Sequence, residues 1–391
     1  MSRIAIIGGG IIGAAAAYRL GQRGVDVLWI DRTDPGQATA AGAGILPPSA
    51  HFSGSAELEA LTALARQHYT ELLAALARDG QDDTGYDVVG ALHVATSPDE
   101  LARLHAVRAD AERRRDAGLP HVGEVRELDG AAARRLFPAL GECVLGAVHM
   151  SGAARVDGRR LLAALRGAAL ARGVQTLAGS ARPWLERGVL RGVEVEQRRF
   201  ESDAVIVAAG AWSRALGEQV GVDIAVKPQR GQIAHLSLPG VHTGSWPIVL
   251  GFGTDYLLTF PEDRVVAGAT RESDAGYDHR VTALGAQRIL ADALRVAPGL
   301  AHATLLEVRV GLRPLSRDGK PVLGASARVP NLFFATGHGG FGLELGPYSG
   351  ALVAELSLGD APPLDLTPFS ADRFSSGSAP SLEDRHDVQR Q

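Results

Sequence analysis

The sequence predicts an α/β protein in which a Rossmann-like dinucleotide-binding domain is interleaved with a second, α+β domain whose sheet is mostly antiparallel. Three observations carry this expectation. The first 32 residues alternate strand, glycine turn, helix and strand; residues 226–312 are rich in strands with little helix between them; a second strand runs into a glycine loop and a helix near residue 340.

In the opening, the apolar run Ile4-Ala5-Ile6-Ile7 leads into Gly8-Gly9-Gly10-Ile11-Ile12-Gly13, an alanine-rich helix start and a second apolar run closed by Asp31. Gly8 permits the turn, Gly10 lets backbone approach a pyrophosphate, and Gly13 lets the helix pack closely on the strand. Asp31 falls where an acid accepts hydrogen bonds from a ribose. The pattern predicts an adenine dinucleotide site without choosing between NAD and FAD.

At 391 residues the chain is long enough for two domains, and its 46% hydrophobic and 21% charged composition is that of an ordinary globular protein. A net charge of −4 with interspersed signs offers no basic field for nucleic acid, so small-molecule partners are expected. The lone Cys143 excludes an internal disulfide and any CxxC redox or metal site, which suits a reducing compartment. With no room for a signal peptide before the first strand and no run of ~18 apolar residues, the expectation is a cytoplasmic enzyme without a transmembrane segment.

Past a turn at Thr33-Asp34-Pro35-Gly36, residues 38–44 are nearly all tiny, which suggests either backbone held against something flat or a flexible loop. An amphipathic helix is expected over 55–79, with Ser55 as N-cap and Gly80 as stop. A strand over 88–96 precedes Ser97-Pro98-Asp99-Glu100, which combines an N-cap, a first-turn proline and a capping-box acid for a helix ending near Gly118. Its Arg113-Arg114-Arg115 cluster is read as a solvated face. Asp157 caps a helix through Ala171, and short strands follow to a continuous apolar run at 203–209 that ends in Gly210, the pattern of a buried parallel strand reaching a ligand. In the strand-rich stretch one helix is expected between Thr282 and Pro298, and beyond Asn331-Leu332-Phe333-Phe334-Ala335-Thr336 a last helix over 348–358. The polar tail 375–391 is expected to be disordered.

The pieces IAIIGGGIIGAAAAYRLGQRGVDVLWIDR, ATAAGAGILPP, DAVIVAAGAWS, GLRPLSRDGKPVLG and NLFFATGHGGFGLELGPYSG stand in this order over nearly the whole chain. In that order they resemble the flavoprotein family of D-amino acid oxidases, glycine oxidases, sarcosine oxidases and D-amino acid dehydrogenases. The resemblance implies FAD, with segments 1–83, 151–225 and 308–374 forming the FAD-binding domain and 84–150 and 226–307 the substrate-binding domain. It implies that Gly8, Gly10, Ile11, Ile12 and Gly13 meet the pyrophosphate and that Asp31 and Arg32 meet the ribose and its surroundings. Thr39, Ala40, Gly42, Ala43, Gly44 and Ile45 would pass the phosphates and flavin, and Ala209, Gly210 and Trp212 would line the groove. Gly337, His338, Gly339, Gly340, Phe341, Gly342 and Leu343 would meet the flavin ring. Arg182 stands where the family usually has a small apolar residue whose backbone meets the adenine. No cysteine stands at the family's covalent flavin anchor in the C-terminal region, so noncovalent FAD is expected.

Oxidising an amino acid at its α-carbon requires the carboxylate to be pinned, and the arginine fork matches a carboxylate bidentately. Arg313, in a GLRP segment that resembles the family's substrate arginine, is the candidate, with an interdomain ion pair as its alternative. Arg309 shares its strand face but lacks the motif. Tyr256 resembles the family tyrosine that reaches the same carboxylate, against a simple packing role. His51, after the small-residue loop, is a candidate for the flavin face, and His338 is expected to shape its loop rather than move protons. The resemblance implies oxidation of the CH–NH bond of glycine, a D-amino acid or an N-methyl amino acid by hydride transfer to flavin, with oxygen or a quinone-type carrier as acceptor. A flavin monooxygenase and an inactive flavin-binding subunit acting through a partner are the alternatives, and a homo-oligomer is possible on sequence grounds.

Overall fold

The structure is a computed structural model that describes residues 3–47, 55–119, 122–253 and 255–374. His51 and the 375–391 tail lie outside the described residues. Two large sheets organise the chain. The first has six strands in the order Val322–Ala325, Leu332–Thr336, Ala204–Val207, Arg3–Ile7, Asp26–Asp31, Gln175–Ala178, all parallel except the first, which is antiparallel to its neighbour. The second has eight strands, in the order Thr304–Ser316, Val226–Ser237, Arg264–Gly268, Tyr256–Thr259, Ile248–Leu250, Ala91–Ala95, Gly146–Met150, Val125–Asp129, with a single parallel pair at Ile248–Leu250 against Ala91–Ala95. The mixed α/β architecture and the mostly antiparallel second sheet are those the sequence predicts. The domain boundary expected between 307 and 308 falls inside the Thr304–Ser316 strand.

The first sheet is built from near-continuous apolar strands because both faces are covered, one by helices and the other largely by a three-stranded antiparallel sheet, Ala181–Glu186, Val189–Val195 and Arg198–Glu201. Helix Ile11–Gln22 packs on Gly342–Ser357, and the small residues of both set how closely they approach. A Cβ at Gly346 would sit 3.0 Å from Ile11 Cγ2, and one at Gly350 would meet the Ile12 carbonyl oxygen. Ala14, Ala15, Ala16 and Ala17 are all buried, so the helix is covered on every side along this turn, with Ala15 and Ala16 beside Gly350. Local capping follows the sequence closely. Ser97 Oγ accepts from Glu100 N–H at 3.2 Å, Asp157 Oδ1 accepts from Arg159 and Arg160 N–H at 3.0 and 3.2 Å, and Thr282 Oγ1 accepts from Gly285 N–H at 3.2 Å. The helix Ala56–Arg78 begins after Ser55 as expected, without a side-chain cap bond.

Two expectations are corrected. Arg114 is not on a solvated face: it is 5% exposed, its guanidinium held by Asp110 at 2.8 Å and by Glu59 of another helix at 3.1 Å. The last helix starts at Gly342, six residues before Tyr348, and runs through Pro347. Proline has no N–H to give to the carbonyl four residues back, which here belongs to Leu343. The Tyr69 hydroxyl, from helix Ala56–Arg78, donates to that carbonyl instead. Beneath it, the carboxylate of buried Glu344 pairs with Arg66 at 2.8 Å. A helix start that local sequence disfavours is thus completed by a distant helix.

Replacing the buried Tyr69 by Phe removes only that hydroxyl and leaves the Leu343 carbonyl without its donor. Tyr69→Phe is expected to lower stability by about 1–3 kcal/mol, seen as a lower urea midpoint at unchanged slope. An unchanged midpoint would show that the helix start holds without the bond.

Candidate active site

A cleft of about 650 Å³ lies between the two sheets. Its first half is built by the C-terminal ends of the parallel strands, the position where open α/β sheets bind ligands. Gly8 there has φ +121°, a conformation that favours glycine, and a Cβ on it would enter the Ala208 carbonyl. Gly13 packs its helix on the turn, with the Gly8 carbonyl where a Cβ would be, and Trp29 Nε1 donates to that same carbonyl at 2.9 Å. Gly10 lines the cleft beside Thr39, whose Oγ1 accepts from Ile11 N–H at 3.0 Å. Gly9, which the sequence reading passed over, is required because a Cβ there would strike Asp31, and its Cβ–Cβ approach would be 2.7 Å.

Gly8, Gly10, Ile11, Ile12, Asp31, Arg32, Thr39, Gly42, Ala43, Gly44, Ile45, Arg182, Ala209, Gly210 and Trp212 all line the cleft, as do His338, Gly339, Gly340, Gly342, Leu343, Tyr256 and Arg313. Gly13, Ala40, Gly337 and Phe341 do not. The Ala40 carbonyl instead accepts from Arg159 Nε at 3.0 Å, a Cβ on Gly337 would lie 3.3 Å from Ser316 Cβ and Val322 Cγ2, and Phe341 packs against the helical core. The small-residue run is no loose loop. It holds a short helix, Ala38–Ala41, and a Cβ at Gly42 would lie 2.7 Å from Leu343 Cδ1.

Charge is divided along the cleft. Asp31, Asp34, Glu194 and Glu196 line one part, where Gln37 Nε2 donates to Asp31 Oδ2 at 3.1 Å, Arg32 grips Asp34 at 2.7 Å and Arg182 pairs with Glu194. Trp212 stacks on Tyr277 at 5.8 Å between centroids. The part against the second sheet is lined by Gly231, Ile233, Tyr256, Arg271 and residues 311–314, with no acid among them.

Arg313 comes off the Thr304–Ser316 strand, and its guanidinium lies where a Cβ on Gly231 would be. Nη1 donates to the Thr270 carbonyl at 3.0 Å, and among the described residues no carboxylate forms an ion pair with it. Burial pulls its pKa down, yet a guanidinium keeps its proton in any physiological range. Tyr256 lies over Gly268 in the same manner, its hydroxyl occupying the space of a Cβ. Burial pushes its phenol up to about 12, against the opposing pull of the Arg313 and Arg271 charges. Arg309 is engaged by Glu307 at 2.6 Å. His338 is buried, bonds Ser349 Oγ at 2.9 Å, and is pushed by desolvation to about 3, so it stays neutral. Missed from sequence were Gly231 and Gly268, although an isolated glycine inside a strand signals a close approach.

An extended dinucleotide with an aromatic ring system fits these residues. The starts of helices Ile11–Gln22 and Gly342–Ser357 both open on the cleft with N–H groups that have no intrahelical acceptor, and nothing lies within 4 Å of where Cβ atoms on Gly340 and Gly342 would be. A cleft of this build, between a parallel dinucleotide-type sheet and an antiparallel one, defines a nucleotide-dependent oxidoreductase class. Residues 3–356 match the pattern of the FAD-dependent oxidoreductases, and the chain belongs to that family. FAD is therefore its cofactor. Cys143 is exposed, with its thiol 3.2 Å from the Arg295 carbonyl, and does not line the cleft. An oxidoreductase of Bacillus subtilis strain 168, YurR, is 42% identical over 370 residues, spanning 94% of this chain and 98% of that protein. The crystal structure of iminodiacetate oxidase from Chelativorans sp. BNC1 superposes with a TM-score of 0.89 at 40% identity, covering 94% of this chain and 98% of that one. Glycine oxidase from Geobacillus kaustophilus gives 0.85 at 30% identity, covering 95% and 99%. No helix among the described residues is long and apolar enough to cross a membrane, and among them no cluster of side chains could hold a metal ion.

Gly9→Ala displaces the Asp31 carboxylate and, because its Cβ would also meet Asp31 Cβ, shifts the glycine turn against the end of strand Asp26–Asp31. The variant is expected to retain FAD several-fold more weakly, read as a loss of the visible flavin band per protein after dialysis, with an unchanged far-ultraviolet circular dichroism spectrum. Full FAD retention would remove Asp31 from the cofactor contacts.

Proposed function

We propose that the protein oxidises the CH–NH bond of a small amino acid, with glycine, a D-amino acid or an N-methyl amino acid as the substrate class. One observation carries the reading: Arg313, a cation with no acidic partner among the described residues, lies flat over Gly231 beside Tyr256 at the acid-free part of an FAD cleft. The likeness to an iminodiacetate oxidase and a glycine oxidase, both named for amine-bearing carboxylates, supports it. On this reading 1–83, 151–225 and 308–374 form the FAD-binding domain and 84–150 and 226–307 the substrate-binding domain.

FAD, when bound, supplies an acceptor for a hydride and passes the electrons to oxygen or a quinone-type carrier. The protein's contribution is positioning. Arg313 takes the substrate carboxylate through its fork, and Tyr256, protonated throughout the working range, donates to it a second hydrogen bond. Held at this end, the substrate keeps only rotation about the carboxylate axis, which restricts the positions its Cα–H can take relative to the glycine loop 337–342. The asymmetry of the site matters equally. His338 is neutral and turned to Ser349, and the cleft acids lie at the other part, so no side chain described at this end serves as a base. The amine must therefore react as its neutral form, its lone pair forming the C=N bond as hydride leaves Cα. Water then hydrolyses the imine to an oxo acid and the released amine.

Arg313→Leu is expected to keep FAD but to need at least about a hundredfold more substrate to bleach the flavin under anaerobic conditions, with Arg313→Lys intermediate. Wild-type bleaching in the leucine variant would refute the clamp. The pH profile of kcat/KM is expected to rise to a plateau at the pKa of the substrate amine and to show no decline from Tyr256 below pH ~10. The limb should move when amines of different basicity are compared; a limb fixed at one pH for all substrates would require a protein base.

A further inference from the structure

Arg271 sits in the same chamber and has no role in the reading above. Its backbone is fixed by its neighbours: Thr270 N–H donates to the Gln232 carbonyl at 3.2 Å, while Glu272 and Arg230 exchange backbone bonds at 2.9 and 3.0 Å. This antiparallel pairing sets Arg271 directly opposite Gly231. Gly231 is in turn opposite Gly311, and Arg313 is two residues further along that strand. Opposed residues and residues two apart share a face of a sheet. Arg271, the bare positions Gly231 and Gly311, and Arg313 therefore lie on one face, with the Arg313 guanidinium over Gly231, one strand spacing of about 5 Å from the Arg271 row.

No acid is left to balance the second charge. Glu272 accepts Arg230 at Oε2, and Gln232 and Thr270, both at 2.7 Å, at Oε1. Asp278 is bonded by Arg230 at 2.8 Å and Arg280 at 2.9 Å. Arg271 itself forms no ion pair among the described residues. It is exposed where Arg313 is half-buried, and each of the neighbouring groups, Arg313 and Tyr256, feels its positive charge. One carboxylate neutralises one of these cations and leaves the other facing the ligand.

The geometry points to Arg271 as a second carboxylate subsite, so that the preferred substrate is an amino acid with two carboxylates, the inner one on Arg313 and the outer one on Arg271. This rests on the amine-oxidation reading for turnover but not for binding. The second carboxylate can stand on the nitrogen substituent, as in iminodiacetate, or on the side chain, as in D-aspartate. Arg271 thereby acts as a specificity residue.

The test uses the FAD-loaded enzyme and separates binding from turnover. Succinate and butyrate, which carry no amine, are titrated by calorimetry and by perturbation of the flavin spectrum. Succinate is expected to bind at least about tenfold more tightly than butyrate. Arg271→Gln should lower that preference about tenfold and Arg271→Lys should retain most of it. Because Arg271 is exposed, raising salt should weaken succinate more than butyrate. In anaerobic bleaching, iminodiacetate and D-aspartate are then compared with sarcosine and glycine: whichever of the two diacids acts at the lower concentration locates the second carboxylate, and bleaching by sarcosine or glycine at lower concentrations than both overturns the dicarboxylate preference. Equal binding of the two acids, or a preference indifferent to Arg271→Gln, overturns the subsite. If no amine bleaches the flavin while the succinate preference and its dependence on Arg271 hold, amine oxidation fails and the subsite stands.

Discussion

The ladder between Val226–Ser237 and Thr304–Ser316 is the constraint on which the rest of the structure depends. It runs in register from Val226 opposite Ser316 to Ser237 opposite Thr304, with one irregularity at His235 and Leu236. The same strand Thr304–Ser316 reaches into the dinucleotide half. Leu312 N–H donates to the Gly36 carbonyl at 2.8 Å, a Cβ on Gly311 would lie 2.9 Å from Ala41 Cβ, and Leu315 forms a bridge with His338. One strand thus fixes the small-residue segment, the glycine loop and Arg313 in a common frame. Since side chains alternate faces, a slip of one residue would carry Arg313 out of the cleft altogether.

Charge placement follows from the same frame. Buried ions elsewhere are matched: Arg66 with Glu344, Arg155 with Asp87 at 3.1 Å, Arg264 with Asp157 at 2.7 Å. Of these, Arg66–Glu344 is buried on both sides, and removing one partner of such a pair costs about 3–5 kcal/mol because a charge is left uncompensated. Arg313 is held without an acid, its only described bond being to a carbonyl. Arg134 and Arg317 are likewise bonded only to carbonyls, but neither lines the cleft; what favours a binding role for Arg313 over a structural ion pair is that it is a cation of this kind placed on the cleft wall. Tyr256 argues in the same direction, since a purely packing tyrosine needs no glycine beneath its hydroxyl.

What was legible in the sequence was what local chemistry decides. Ser97, Asp157 and Thr282 cap their helices because a cap needs only its own next three residues. The turn at Gly8 and the close packing at Gly13 follow from a spacing that is itself local. The illegible parts depend on residues brought together from afar. Gly9 is obligatory only because sheet pairing brings Asp31 beside it, and Arg114 is buried only because Glu59 on another helix meets it. Arg271 lies opposite Gly231 through backbone bonds that no periodicity announces. The early start of the last helix was hidden because Pro347 signals a break, and its remedy stands on Tyr69.

That remedy has a consequence for how the protein is made. Tyr69 and Leu343 are 274 residues apart, so at ribosomal rates of about 5–20 residues per second tens of seconds separate the synthesis of the donor from that of its acceptor. Strand Leu332–Thr336, which borders Ala204–Val207 in the first sheet, arrives equally late. Throughout that interval the N-terminal glycine turn exists beside an incomplete sheet with an open edge. Until Leu332–Thr336 is made, Ala204–Val207 has no partner on that side of the first sheet, so this half of the cleft is completed only after that strand and the helix that follows it exist.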